Sequence, residues 1–142
     1  MEDTIKNIYY HFCDIEKIDD KTIEVSLNQQ SLCMDGSVPL IQIILQDDGK
    51  YFISDKTLTY FNLSTYFELS NYNVDSDKFD KIATNFIKKI NKEYKLLDIK
   101  FSLLNGCIFA ENIDIEYLNM AIEEMCILCY KIYHKYKKLR FT

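Results

Sequence analysis

Hydrophobic positions along this chain change period several times, and each change marks an element. Near the start, Ile5, Ile8, Phe12 and Ile15 recur at spacings of three and four, which predicts an amphipathic helix opened by Asp3 or Thr4. TIEVSL, residues 22–27, then alternates Ile23, Val25 and Leu27 with Glu24 and Ser26, the pattern of a half-buried strand. NQQSLCMDGS, residues 28–37, has no period and ends in Asp35-Gly36, which reads as a loop. VPLIQIILQ, residues 38–46, is rich in β-branched residues and apolar except at Gln42 and Gln46, so it predicts a central strand. Pro39 lies near its start, where a missing N–H is tolerated. Asp48-Gly49 and the run KYFIS follow; two apolar runs about Asp-Gly predict a type I′ hairpin with positive φ at both central residues.

Beyond Asp55 the pattern turns helical. Leu58, Phe61, Leu63, Tyr66, Phe67 and Leu69 crowd one side of a short helix, which SNYNVDSD interrupts. A second helix is predicted from about Ser76, with Phe79, Ile82, Phe86 and Ile90 inward and Lys81, Lys88, Lys89 and Lys92 facing water. IKFSLLNGCIFAEN offers two short apolar runs about Asn105-Gly106, a second type I′ signal.

The last element is the longest. Ile115, Leu118, Ile122, Met125, Cys129, Ile132 and Tyr136 alternate spacings of three and four, with Asp114 and Glu116 at the positive end of the helix and lysines at the other. Three heptads describe a coiled-coil seam, and so a homodimer through residues 115–136. A single helix laid across a sheet reads the same way, and Ala121 and Leu128, which widen the stripe, favour that reading. The predicted order is αβββααββα: one α+β domain over residues 1–142, with a mostly antiparallel sheet packed by helices.

Composition agrees with one ordered unit. The chain has 142 residues, 48% apolar, with three glycines and one proline, enough for a single core but not for two. Arg140 is the sole arginine, so schemes that need a planar guanidinium fork have one candidate. Heavy use of Lys, Asn, Ile and Tyr suggests an AT-rich bacterial or phage genome.

Charge is polarised as well as negative. Residues 1–80 hold 15 acids and 6 lysines, a net of −9, whereas residues 81–142 hold 7 acids and 11 bases, a net of +4; the sum is −5. An acidic first half suits a basic partner surface. The run Lys131, Lys135, Lys137, Lys138 and Arg140 suits nucleic acid or an acidic partner, or simply complements the helix dipole and keeps the surface solvated. Five cysteines are an odd number, and MEDTIKNIYY carries acids and no apolar h-region. The expectation is a bacterial cytoplasm with reduced thiols and no membrane span.

Three aspartates, Asp47, Asp48 and Asp55, fall within the QDDGKYFISD stretch. Asp48-Gly49-Lys50 spells the acid-x-lysine of metal-dependent nucleases, with Asp20, Glu24, Asp47 and Asp55 as candidate partners. Such a motif must project from one face of a strand, however, and here Asp48 and Gly49 form the predicted turn. Asp47 and Lys50 then flank that turn, and Asp55 caps the following helix. Cys126 and Cys129 make a CxxC pair, but it lies mid-helix among apolar residues rather than at a helix N-terminus, and no second close pair completes a zinc set. Packing as small hydrophobes is the expectation. His11 and His134 belong to no triad, and no glycine-rich phosphate loop is present. Neither a metal nor a cofactor is expected. Eleven tyrosines exceed what one small core hides, so some should reach a contact surface.

Asp48, Gly49, Tyr51, Ile53, Ser54 and Asp55, followed by the Leu58-to-Leu69 helix and the closing helix from Asp114, resemble the domain of unknown function 1828 family of small bacterial and prophage proteins. The resemblance covers about residues 23–135. Relatives commonly continue with another Asp or Gly where this chain has Lys56-Thr57, so the strand-to-helix junction is expected to differ. The resemblance implies a setting more than a reaction: a phage or mobile-element interaction protein, for instance an anti-CRISPR-like inhibitor of a host defence nuclease. Its acids, Asp47, Asp48 and Asp55, would meet a basic nucleic-acid channel. The alternatives are a metal-dependent nuclease using Asp48, Lys50 and Asp55, or nucleic-acid binding through Lys135, Lys137, Lys138 and Arg140.

Overall fold

Residues 14–26, 40–68, 73–94 and 99–140 are described by the computed structural model. Their order is β1 (Asp14–Lys17), β2 (Thr22–Ser26), β3 (Leu40–Leu45), β4 (Tyr51–Ser54), α1 (Leu58–Glu68), α2 (Ser76–Glu93), β5 (Ser102–Leu104), β6 (Cys107–Ile113) and α3 (Ile115–Arg140). Six strands form one antiparallel sheet in the order β1-β2-β3-β4-β6-β5. The class is α+β, as the pattern predicts.

Alternation decides which face of the sheet is covered. Ile23, Val25, Ile41, Ile43, Ile53, Ile108 and Ala110 are buried, and α3 packs across β3, β4 and β6 on that side. Alpha2 lies beside α3 and against β5, and α1 on the other flank of α3 reaches β6. The opposite sheet face carries Glu24, Gln42, Ile44, Phe52 and Phe109, all half-buried, with the Phe52 and Phe109 rings stacked 5.7 Å apart.

The long heptad stripe is spent inside the molecule. Leu118, Ile122, Met125, Cys129, Ile132 and Tyr136 are each 2% exposed or less, and only Ile115 of the seven reaches solvent. A homodimer through that 115–136 seam would have to strip α3 from the sheet, so the helix-on-sheet reading is the one that holds. Asp75 caps α2, its Oδ1 accepting the N–H groups of Asp77 and Lys78 at 3.0 and 3.2 Å. The Asp75 N–H donates in turn to the Tyr136 hydroxyl at 2.8 Å, which ties the start of α2 to the far part of α3.

Four expectations need correction. Ile15 belongs to strand β1, paired with Val25, and not to a helix; the remainder of the first predicted helix, and the 28–37 loop, lie outside the described residues. A β-branched residue opposite another β-branched residue is well placed in a ladder, and the hairpin with β2 outweighs the local helical period. The Asp47-Asp48-Gly49 connection is a three-residue loop in which Gly49 has φ +83° and Asp48 stays at negative φ. Its Gly49 N–H donates to the Gln46 carbonyl at 3.0 Å, and the Gln46 N–H to the Lys50 carbonyl at 2.8 Å. One left-handed residue, placed on the glycine, serves the strand twist as well as two. Asn105-Gly106, by contrast, is the two-residue turn expected, with φ +51° and +80° between the opposed Leu104 and Cys107. In α1, Phe61 is 62% exposed, because Thr59, Leu63 and Phe67 form the inward row. In α2 the buried row is Phe79, Ile82, Ala83 and Ile87, leaving Phe86 and Ile90 half-buried beside α3.

Candidate functional site

The residues singled out by sequence separate into three places. Asp47 and Asp48 sit exposed on the β3–β4 loop. The β1–β2 turn lies beside it, because Leu45 donates its N–H to the Lys21 carbonyl at 2.7 Å and Lys21 Nζ reaches Asp47 Oδ1 at 3.1 Å. Lys50 Nζ stands 3.9 Å from Asp114, which brings the N-terminus of α3 to the same end. Asp19, Asp20, Asp47, Asp48 and Asp114 thus gather against Lys17, Lys21 and Lys50, five carboxylates to three ammonium groups. Among the described residues each of these lysines has one acid within 4 Å, and the pairs are largely solvent-exposed, so they hold little energy and leave the end net negative. Asp19 is held below the ordinary carboxylate range by the Lys21 backbone N–H, so it stays charged.

The cationic group is at the other end of α3. Lys135 and Lys138 are exposed, while Lys137 is half-buried with its Nζ 4.2 Å from the centre of the Tyr66 ring. Arg140 closes the helix. Twenty-six residues of α-helix span about 39 Å, so the lysines and the acidic turns are separate poles, not two halves of one site.

Asp55 belongs to neither pole. It is 2% exposed, so its carboxylate cannot serve as a charged contact for a partner. Oδ1 accepts the N–H groups of Thr57 and Ile108, both at 2.9 Å, and Oδ2 accepts that of Thr59 at 3.4 Å. Cys129 Sγ lies 4.0 Å from Oδ2. Burial pushes the carboxyl above its ordinary range, while the N–H donors pull the other way. The capping role expected of Asp55 is present, but across a sharper junction than a plain N-cap: Lys56 and Thr57 both have left-handed backbones, φ +55° and +64°. Two such residues without glycine are strained by about 1–2 kcal/mol each. Asp55 holds them by gripping Thr57 with its side chain and Leu58 with its carbonyl, at 3.0 Å. Lys56 Nζ turns back to Glu24 Oε2 at 2.9 Å, which ties the junction to β2.

Asp48, Lys50 and Asp55 therefore do not converge. Asp48 turns its Oδ1 to the Lys50 N–H at 3.0 Å, and the whole of β4 lies between that loop and Asp55. Among the described residues no three His, Cys, Asp or Glu side chains are grouped to hold a metal ion. Cys126 and Cys129 are each 2% exposed, and burial, followed by the charge of Glu123, pushes the Cys126 thiol up to about 12. Cys107, half-buried at the β5–β6 turn, is also raised, first by burial and then by the charge of Asp55. No family model, curated protein or solved structure matches the chain. Among the described residues no helix is long and apolar enough to cross a membrane.

Sequence reasoning missed the partners of Asp55, which lie 53 and 74 positions away at Ile108 and Cys129. It also missed the irregularity in β6, where Tyr51 faces Ile113 and Ile53 faces Ala110, so one extra residue bulges near Asn112 at φ +59°. Gln46 Oε1 accepts the Asn112 N–H at 3.0 Å. An Asn six residues after a turn glycine is the only local sign of it.

Proposed function

We propose that this protein is a non-catalytic interaction module that docks on a basic partner surface through the acidic end of its sheet. The observation that carries the reading is the gathering of Asp19, Asp20, Asp47, Asp48 and Asp114 from three separate turns onto one exposed end. Fields from such a cluster speed encounter with a cationic surface and select against an anionic one. The resemblance to the domain of unknown function 1828 family narrows the proposal to a phage or mobile-element inhibitor whose target handles nucleic acid in a bacterial cytoplasm, anti-CRISPR-like in action. Asp47 and Asp48 are its contact residues, and Asp55 supports them only through the fold.

The test is capture from the bacterial host with the wild type and with Asp47→Asn/Asp48→Asn, identifying bound protein and nucleic acid by mass spectrometry. A basic, nucleic-acid-handling protein held by the wild type and lost by the double variant supports the proposal; equal retention overturns it. Cleavage of labelled DNA or RNA in Mg²⁺ or Mn²⁺, abolished by Asp48→Asn, would instead establish a nuclease.

The exposed lysines at the end of α3 favour a second reading, binding of nucleic acid through Lys135 and Lys138 with Lys137 and Arg140. Affinity would then fall steeply with salt, by roughly one logarithmic unit of slope for each phosphate contacted. A flat response excludes it.

A further inference from the structure

The outward face of α3 bears a charge pattern that inverts about one residue. Ile127 is 44% exposed, an apolar side chain left in water mid-helix. Four positions before it stands Glu123 and four after it Lys131; eleven before it stands Glu116 and eleven after it Lys138. All four charged residues are exposed. Four residues exceed one turn by about 40° and eleven exceed three turns by about 20°, so all five side chains share one face.

This arrangement is self-complementary under a two-fold axis that passes beside Ile127. Such an axis, lying in the interface and perpendicular to α3, lays a second α3 antiparallel on the first. It sets Ile127 against its own copy, Glu123 against Lys131 of the second molecule and Glu116 against Lys138. Each contact then occurs twice, as an isologous interface requires. The groove between α2 and α3, about 200 Å³, extends the apolar centre with Phe86, Ile90 and Leu128, and it repeats the polarity: Lys89 and Lys131 line one end, Glu93 and Glu124 the other. Alpha2 runs antiparallel to α3, since Asp75 meets Tyr136 while the groove joins Ile90 to Leu128.

We propose that this face is the dimer interface of the protein, occupied by a second copy of the same chain. A polyanion is disfavoured there, because half of the strip is negative. An acidic or basic peptide meets a repulsive end whichever way it lies. A second copy matches both ends at once. The strip is about 33 Å long and about 20 Å wide, the width of two helices, so two copies cover about 1,300 Å² in total. That is the low end of stable interfaces, and the association should be weak and concentration-dependent, in the micromolar range.

Sedimentation velocity over a dilution series tests it, on the full chain and on Ile127→Asp, Lys131→Glu and Glu123→Lys, with circular dichroism confirming that each variant is folded. Wild type should pass from monomer to dimer with rising concentration. Each variant should weaken association at least ten-fold. Mixing Lys131→Glu with Glu123→Lys should restore a dimer, because each reversed charge then meets its opposite on the other molecule. A wild type monomeric to about 1 mM, a dimer indifferent to the reversals, or a failure of the mixture to associate would each overturn the proposal.

Discussion

Asp55 and Ile108 exchange two hydrogen bonds: the Asp55 backbone N–H donates to the Ile108 carbonyl at 3.0 Å, and the Ile108 N–H donates to Asp55 Oδ1 at 2.9 Å. A side chain here extends the ladder between β4 and β6 one step past the end of β4. The same carboxylate opens α1, so one buried residue joins the sheet to the helix layer. Replacing it with Asn keeps one acceptor oxygen but turns an amide donor toward the Thr59 N–H or the Ile108 N–H. Asp55→Asn should cost about 1–3 kcal/mol in urea unfolding. The pH dependence has a definite sign. Because burial raises the folded value, the native state holds the proton more tightly than the unfolded chain. The wild-type advantage over Asp55→Asn is therefore full below the ordinary aspartate range and shrinks as pH rises through the folded value. Unfolding both proteins between pH 3.5 and pH 8 checks it; an advantage that grows with pH would contradict the raised carboxyl.

Gly106 and Gly49 have nearly the same backbone, φ +80° and +83°, but different surroundings. A Cβ at Gly106 would stand 3.4 Å from Tyr60 Cγ and 3.5 Å from Thr57 Cγ2, whereas at Gly49 it meets nothing within 4 Å. Gly49→Ala should cost about 1–2 kcal/mol, the left-handed strain alone. Gly106→Ala should cost about the same, since a Cβ there meets Tyr60 and Thr57 at ordinary van der Waals distance. A clearly lower urea midpoint for Gly106→Ala than for Gly49→Ala would show that the turn is pressed harder against α1 than those distances allow.

Asn91 acts as a short substitute strand. Its Oδ1 accepts the Phe101 N–H at 2.7 Å and its Nδ2 donates to the Phe101 carbonyl at 3.1 Å. Asn91→Ala leaves two part-buried backbone groups unmet and should cost about 1–3 kcal/mol. Asn91→Asp keeps an acceptor for the N–H but sets an anion against the carbonyl oxygen, so it should be no better than Ala near neutral pH. Stability near wild type for Asn91→Asp would mean that Phe101 is held by packing alone.

Cys126 and Cys129 should resist alkylation in the native state at pH 8 and react fully in denaturant, because both are buried and the Cys126 thiol is raised to about 12. Peptide mapping of iodoacetamide-treated protein resolves each site. Fast native labelling of Cys126 would return the pair to the reactive class.

The strands at 22–26 and 40–45, the helix from Ser76 and the long final helix were legible because each repeats its apolar residues at one period over its length. The turn glycines were legible for a local reason as well, since only glycine takes a left-handed backbone without penalty. What misled was a period too short to exclude its rival: Ile15 fits a helical stripe and a strand equally well, and its pairing with Val25 decides. The heptads of α3 likewise describe both a seam between chains and a helix on a sheet, and only the burial of Leu118 to Tyr136 separates them.

Local spacing, then, was enough by itself to determine the α+β class, the sign of each half of the chain, the capping role of Asp55 and the turn at Asn105-Gly106. These depend on neighbours within about one turn or one hairpin. Tertiary structure alone decided that Asp55 is enclosed between Ile108 and Cys129, and that Asp19, Asp20, Asp47, Asp48 and Asp114 share one end while the lysines of α3 hold the other. Those relations arise where residues far apart in sequence are brought together to bury one apolar face, and no local period records which distant partners that burial selects.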